Sequence, residues 1–288
     1  MPDPCLPPTL VERLVDGNCV LFAGSGLSAA AGLPTWKTLL GDIVKRLREE
    51  GRLHGSKQEA AGLLKSGKFL ELADCCKEKA GEALLHEILY ANVGGNDVSL
   101  PEIHRAIVRL PFIGIITTNF DTLLERAYTE RTRNTAPAFT NRETKDLASR
   151  IFRRRFYIFK AHGDIHRTDS IIFTARDYQR ISHANPAFRA LLSSILITSC
   201  VIFVGYSLSD PDFRLILDQN MVTFEGFSSE RYALLRDVGT MERELLKRTL
   251  GINVISYSSH DELLPFFLAL EKAVIAENLA RKDGKLAT

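Results

Sequence analysis

A chain of 288 residues is long enough to bury a full core, and allows one large α/β domain or two small ones. Its composition is ordinarily globular, with 45% apolar and 25% charged residues, and 37 basic against 35 acidic side chains leave a net charge of +2. That balance gives no whole-molecule attraction to nucleic acid or an acidic membrane, so direct binding to neither is expected. The five cysteines, Cys5, Cys19, Cys75, Cys76 and Cys200, show no CxxC or Cys/His spacing. Neither a zinc site nor a disulfide framework is therefore predicted, and reduced thiols in a cytoplasmic protein are the expectation.

The N-terminal stretch MPDPCLPPTLVERL lacks a basic region followed by an apolar one, so no secretory signal is readable. Residues 19–24, CVLFAG, form the first apolar run of a length suited to a buried parallel strand. It opens into Gly24-x-Gly26-x-x-Ala29, the first half of a dinucleotide fingerprint, in which glycine lets backbone amides approach a diphosphate. The second half, a further strand ending in an acidic residue, does not follow. Gly32, Leu33, Pro34 and the helical pattern WKTLLGDIVKRLREE come instead, so the loop alone reads equally as a structural turn or a nucleotide site.

Helical spacing then continues to about residue 110, before strand runs at 112–119 (FIGIITTN), 156–163 (FYIFKAHG), 200–207 (CVIFVGYS), 231–236 (RYALLR) and 252–257 (INVISY). Arg153, Arg154 and Arg155 read as a solvated turn before one of these runs. Residues 190–209 carry no charge and mimic a membrane span, but their serines and β-branched second half predict a helix ending near Ser199 followed by a buried strand. MERELLKRTL reads as a helix with Thr240 as N-cap and Gly251 just past its end.

Strands alternating with helices predict an α/β fold: a Rossmann-like, mostly parallel sheet with helices on both faces and a helical insertion after the first strand. The expected organisation is a Rossmann domain from residues 9–36 and 111–277, a helical subdomain at 37–110, and flexible ends at 1–8 and 278–288.

Chemistry gathers at the strand ends. FIGIITTN runs into Thr117-Thr118-Asn119-Phe120-Asp121, FYIFKAHG into His162-Gly163-Asp164, and CVIFVGYS into Gly205-Tyr206-Ser207-Leu208-Ser209-Asp210-Pro211. Ligands of open parallel sheets sit outside the carboxyl ends of strands, so these clusters point to a site. A neutral amide such as Asn119 can donate to a ribose hydroxyl and accept from water, and a histidine such as His162 can act as a general base. Each also has an ordinary reading, a turn asparagine and a satisfied strand-end histidine. Asp121 either contacts a ligand or caps the following helix, or does both. Asp210 caps the helix PDFRLILDQNM or meets ligand, Trp36 covers a ligand or fills core, and His104 reads as structural.

Gly24-Ser25-Gly26-x-Ser28-x3-Gly32-Leu33-Pro34-x-Trp36 resembles the sirtuin GAGxSxxxGIPxF motif. Thr117-x-Asn119-x-Asp121 resembles its TQNxD, Lys160-Ala161-His162-Gly163 its catalytic HG segment, and Gly205-x-Ser207 its GxS turn, in matching order from about residue 18 to 257. TTNFD, GYSLSDPD and the missing four-cysteine zinc module make the chain similar to the SIR2-like, NAD-hydrolysing domains of bacterial anti-phage defence proteins. Thr35 and Lys37 stand where deacylases usually carry Asp and Arg, which weighs against acyl-lysine chemistry.

The resemblance implies NAD as substrate, no zinc, and catalytic Asn119, His162 and Asp121. It implies Gly24, Ser25, Gly26 and Ser28 at the diphosphate and nearby ribose, Pro34 and Trp36 at the nicotinamide ribose, and Thr117 among the NAD-binding residues. Gly205 and Ser207 are assigned to the adenosine half, and Asp210 is counted among the NAD-binding residues. The implied activity is hydrolysis of NAD to nicotinamide and ADP-ribose, an NAD-depleting effector held in check by homo-oligomer assembly or by a separate sensor or activator. An NAD-dependent protein deacylase and a non-catalytic NAD or ADP-ribose-binding module are the alternatives.

Overall fold

The computed structural model describes residues 6–53, 57–95, 98–208, 211–224 and 229–286. Among them seven strands pair in parallel throughout, in the order β3-β4-β2-β1-β5-β6-β7. They are β1 (Cys19–Ala23), β2 (Gly114–Thr117), β3 (Ala138–Thr140), β4 (Tyr157–Lys160), β5 (Cys200–Val204), β6 (Arg231–Arg236) and β7 (Ile252–Tyr257). Strands β1, β2, β4 and β5 are buried at every position, as strands covered on both faces must be.

Alternation along the strands divides the core. Leu21, Ile115, Ile158 and Ile202 face α1 (Pro8–Val15), α6 (Glu102–Arg109), α7 (Leu123–Thr132) and α13 (Leu263–Leu286). Val20, Phe22, Ile116, Phe159, Val201 and Phe203 face the other layer. That layer contains α8 (Thr144–Phe152), α9 (Ala175–Ala184), α10 (Pro186–Thr198), α11 (Pro211–Thr223) and α12 (Thr240–Leu250). A third cluster joins α3 (Trp36–Glu49), α4 (Lys57–Lys65) and α5 (Phe69–Val93) to Phe120, Ile165 and Phe173 at the strand ends. Helix α5 bends at Gly81, whose φ is 71°. Because α6 packs on the sheet through Ile103, Ala106 and Ile107, the helices that stand off the sheet are α3, α4 and α5.

The uncharged stretch resolves into α10, ending at Thr198, and β5, and no described helix is long and apolar enough to cross a membrane. Three differences from the sequence reading have local causes. Strand β3 was not anticipated because it has only three residues, follows Pro137, and forms an edge of the sheet. Thr240 is the first residue of α12, capped by Gly239, while Gly251 closes the helix at φ 66°. Helix α13 continues past residue 277, where composition predicts fraying, with Arg281 pairing to Asp16 at 2.7 Å and Glu277 at 2.8 Å.

The chain leaves β1 toward β2 and β4, and later leaves β5 toward β6 and β7. The order therefore reverses between β1 and β5, and a crevice opens at the carboxyl ends of these two strands.

Candidate functional site

At the crevice floor two backbones touch. Gly24 N donates to Val204 O at 3.0 Å and Gly26 N to Gly205 O at 2.8 Å, carrying the β1–β5 pairing into the loops. A Cβ on Gly24 would lie 2.5 Å from Gly205 O, and one on Gly205, at φ +61°, would lie 2.2 Å from Leu27 N. These glycines are needed first for that approach. The amides of Gly24 and Gly26, which the fingerprint assigns to a diphosphate, are already committed to the neighbouring strand. Gly24 sits behind the cavity wall, whereas Ser25, Gly26 and Ser28 line it.

Asn119 follows the end of β2 and is 8% exposed. Thr117 holds it from below: its hydroxyl donates to Ala23 O at 3.1 Å and accepts from Asn119 N at 3.0 Å. Thr117 is itself buried, and the residue of that pair that lines the cavity is Thr118. Asn119 Nδ2 donates to Gly24 O at 3.1 Å and to Ser28 Oγ at 2.9 Å. Ser28 in turn donates to Asp121 Oδ2 at 2.7 Å, and Asp121 Oδ1 accepts from Leu123 N at 3.0 Å at the start of α7.

This relay fixes the amide's direction, because only the NH2 end can face the Gly24 carbonyl. Both amide protons are thereby used, so Asn119 is not the ribose donor suggested by its residue type. Its Oδ1 is left buried without a hydrogen-bond partner among the described residues. A buried acceptor in that state costs about 1–3 kcal/mol unless a ligand or water satisfies it.

His162 and Asp121 line the same cavity. The turn after β4 that carries His162 has Gly163 at φ +98°, where an added Cβ would meet Ser170 O at 2.2 Å. Beneath it lies a group that the sequence reading quoted only as part of a motif. Lys160, 1% exposed, donates from Nζ to Phe120 O at 3.2 Å, Asp121 O at 2.6 Å and Asp164 Oδ2 at 2.6 Å. Three protons serve three acceptors, so Glu125, 2.8 Å from Nζ, receives its charge rather than an aligned hydrogen bond. Burial pushes the Glu125 carboxyl above the usual range, against the pull of Lys160. Burial also disfavours the lysine's charge, but Glu125 and Asp164 outweigh it and hold the ammonium above its ordinary value. Lys160 thus ties the Asn119–Asp121 loop to the strand end bearing His162.

The cavity measures about 880 Å³, within the range of dinucleotide-sized sites. It runs from His162 past Asn119, Ser28 and Gly205 to Arg236, Tyr257 and His260 beyond β6 and β7. Pro34, Trp36 and Ser207 line it, and Trp36 also packs edge-on against Phe173 at a centroid distance of 5.0 Å. Thr35, where deacylases carry Asp, N-caps α3. Asp210 lies outside the described residues. The sequence reading missed the wall from α5, with Phe69, Leu70, Glu71 and Asp74, and the far end at Arg236, Tyr257 and His260. Among the described residues no group of three or more His, Cys, Asp or Glu could hold a metal ion.

Residues 113–255 match the SIR2-like domain family. The chain is 28% identical over 249 residues to the NAD(+) hydrolase ThsA of Cytobacillus dafuensis, covering 86% of this chain and 47% of that protein. It is 29% identical over 230 residues to the NAD(+) hydrolase ThsA of Acinetobacter baumannii (strain 532279), covering 80% and 44%. Defense-associated sirtuin 2 of Bacillus subtilis is 26% identical over 255 residues, covering 87% and 24%. The chain therefore spans about half the length, or less, of these curated relatives.

Proposed function

We propose that this chain, which matches the SIR2-like domain family over residues 113–255, is an NAD+ hydrolase, converting NAD+ and water to nicotinamide, ADP-ribose and a proton. The observation that carries the reading is the buried, unpartnered Oδ1 of Asn119 in a dinucleotide-sized crevice. The cleaved bond is the N-glycosidic bond to nicotinamide, whose rupture moves positive charge onto the ribose in an oxocarbenium-like state.

Asn119 Oδ1 accepts a hydrogen bond from a ribose hydroxyl or the attacking water, and orients it. Asp121, anchored by Ser28 and Leu123, keeps lone pairs for the nicotinamide amide and sets a fixed negative charge near the developing cation. His162 takes the proton released when water adds to the sugar. Trp36 and Pro34 close over the nicotinamide ribose and exclude bulk water. Gly26, Ser25 and Ser28 flank the diphosphate, and Gly205 and Ser207 meet the adenosine half.

The relatives named as NAD(+) hydrolases and as a defense-associated sirtuin support a role in defence through NAD+ hydrolysis, and we propose that this chain acts against phage by depleting NAD+. Such an activity in the cytoplasm has to be restrained, and we propose control by assembly of copies of the chain or by a separate sensor protein. The test follows nicotinamide release from NAD+ across a concentration series, with Asn119→Ala and His162→Ala alongside. Each variant is expected to lose about 100-fold or more of the rate. Release that is absent under every activating condition, or that survives in both variants, overturns the reading.

A further inference from the structure

The crevice continues past the last residue that the family motifs assign. In the proposed placement the diphosphate lies at the centre of the sheet, over the β1–β5 contact, and the nicotinamide ribose lies on the β2 side at Asn119. The adenosine half must then run the other way, over β5, β6 and β7. Two interstrand steps, about 10 Å, carry it from Gly205 to the ends of β6 and β7.

The side chains there form a connected group. Arg236, at the end of β6, brings Nη1 within 3.4 Å of His260 Nε2, and His260 Nδ1 lies 3.2 Å from Tyr257 OH at the end of β7. Asp237 N donates to Tyr257 O at 3.0 Å and fixes the two strand ends together. The guanidinium can only donate, so His260 Nε2 faces it as an acceptor and the ring proton sits on Nδ1, toward the tyrosine oxygen.

Three carboxylates lie near this end, and none of them lines the cavity. Asp237 stands 3.6 Å from Arg236 Nε with both side chains more than half exposed, a surface pair of little strength. Of these two neighbours, Arg236 lines the cavity and Asp237 does not. Asp261 is held by Ser259 Oγ at 3.1 Å, and Glu262 accepts from the amides of Ser258 and Ser259. At the adenosine ribose of a dinucleotide a carboxylate suits the bare diol, whereas an arginine suits a phosphate monoester.

We infer that Arg236, with His260 and Tyr257, forms a phosphate subsite for the 2′-phosphorylated adenosine ribose, so that the preferred substrate class is the phosphorylated dinucleotide NADP+. The inference rests on the proposed placement of the dinucleotide.

Titration calorimetry with ADP-ribose and 2′-phospho-ADP-ribose tests it directly. The protein is expected to bind the phosphorylated ligand at least tenfold more tightly. Arg236→Ala should bring the ratio close to one, and Arg236→Lys should restore part of it as a point charge without the planar fork. Equal or weaker binding of the phosphorylated ligand, or a preference that survives Arg236→Ala, overturns the subsite.

Nicotinamide release from NADP+ and NAD+ separates this idea from the hydrolase reading. Preferential binding without turnover leaves the subsite standing and sinks the hydrolase. Turnover of NAD+ with NADP+ rejected does the reverse, and failure of both ligands to bind removes both.

Discussion

Ser28 Oγ accepts a hydrogen bond from Asn119 Nδ2 at 2.9 Å, and this contact turns the asparagine carbonyl oxygen away from the protein's own donors. The serine also donates to Asp121, so one hydroxyl positions both of these cavity-lining groups. Ser28→Ala leaves Gly24 O as the remaining acceptor for the amide and frees Asp121 to rotate. We expect nicotinamide release to fall about 10- to 100-fold, with kcat affected more than KM, because misorientation of about 1 Å costs that much. Asn119→Asp should be worse than Ser28→Ala, since a carboxylate oxygen would face the Gly24 carbonyl. Steady-state kinetics on the three proteins check the order; a Ser28→Ala enzyme with unchanged kcat would show that the relay is only structural.

Lys160 is expected to be more important to stability than its place within a strand suggests. Lys160→Met removes the donor for two carbonyls and for Asp164 Oδ2, and leaves Glu125 without its cation. Breaking a buried pair from one side costs about 3–5 kcal/mol. Glu125→Gln alone should cost much less, because Glu125 contributes charge and not an aligned hydrogen bond. Urea unfolding of both variants and of the double variant gives the coupling; equal effects of the two single changes would contradict the geometry.

What the sequence made legible follows from which physical constraints are local. Buried parallel strands are short apolar runs, so β1, β2, β4 and β5 and the polar clusters at their ends could be read directly. Glycine was ambiguous: the same residue serves a phosphate and a close backbone, and only the β1–β5 adjacency shows that the amides of Gly24 and Gly26 bond to the neighbouring strand. Thr117 and Thr118 were indistinguishable by type, while their positions at the strand end send one toward Ala23 O and the other to the cavity. Lys160 was visible as a lysine inside the apolar run FYIFKAHG, but its partners Phe120, Asp121 and Glu125 come from another strand's loop and helix. Arg236, Tyr257 and His260 meet only because β6 and β7 are neighbours, which no spacing in the chain announces.

Gly205 and Gly32 form a natural pair for testing the glycine argument. Both have positive φ, +61° and +78°, but an added Cβ meets Leu27 N at 2.2 Å in the first case and nothing within 4 Å in the second. Gly32→Ala should cost about 1–2 kcal/mol, the left-handed penalty alone. Gly205→Ala should cost more by several kcal/mol, or force the β1 loop away from β5 and weaken ADP-ribose binding. Urea midpoints and calorimetry decide the matter; equal costs at the two positions would mean that the close approach is unimportant.

His104 supplies a pH signature of folding that does not depend on any ligand. The ring is fully buried in α6, both nitrogens lack partners among the described residues, and burial pushes its pKa down to about 4 despite the opposing charge of Asp121. In the unfolded chain a histidine titrates near 6.5. Between those values the unfolded state holds the extra proton, so stability is full above about 6.5 and falls as the pH drops through that window. The loss approaches about 3 kcal/mol near pH 4, at about 1.4 kcal/mol for each pH unit. His104→Leu replaces two unsatisfied polar atoms with apolar ones of comparable bulk, so it should be no less stable than the parent at pH 7.5. It should also lose most of the fall in urea midpoint between pH 6.5 and 4.5. A parental slope retained in the leucine variant would assign the acid sensitivity to other groups.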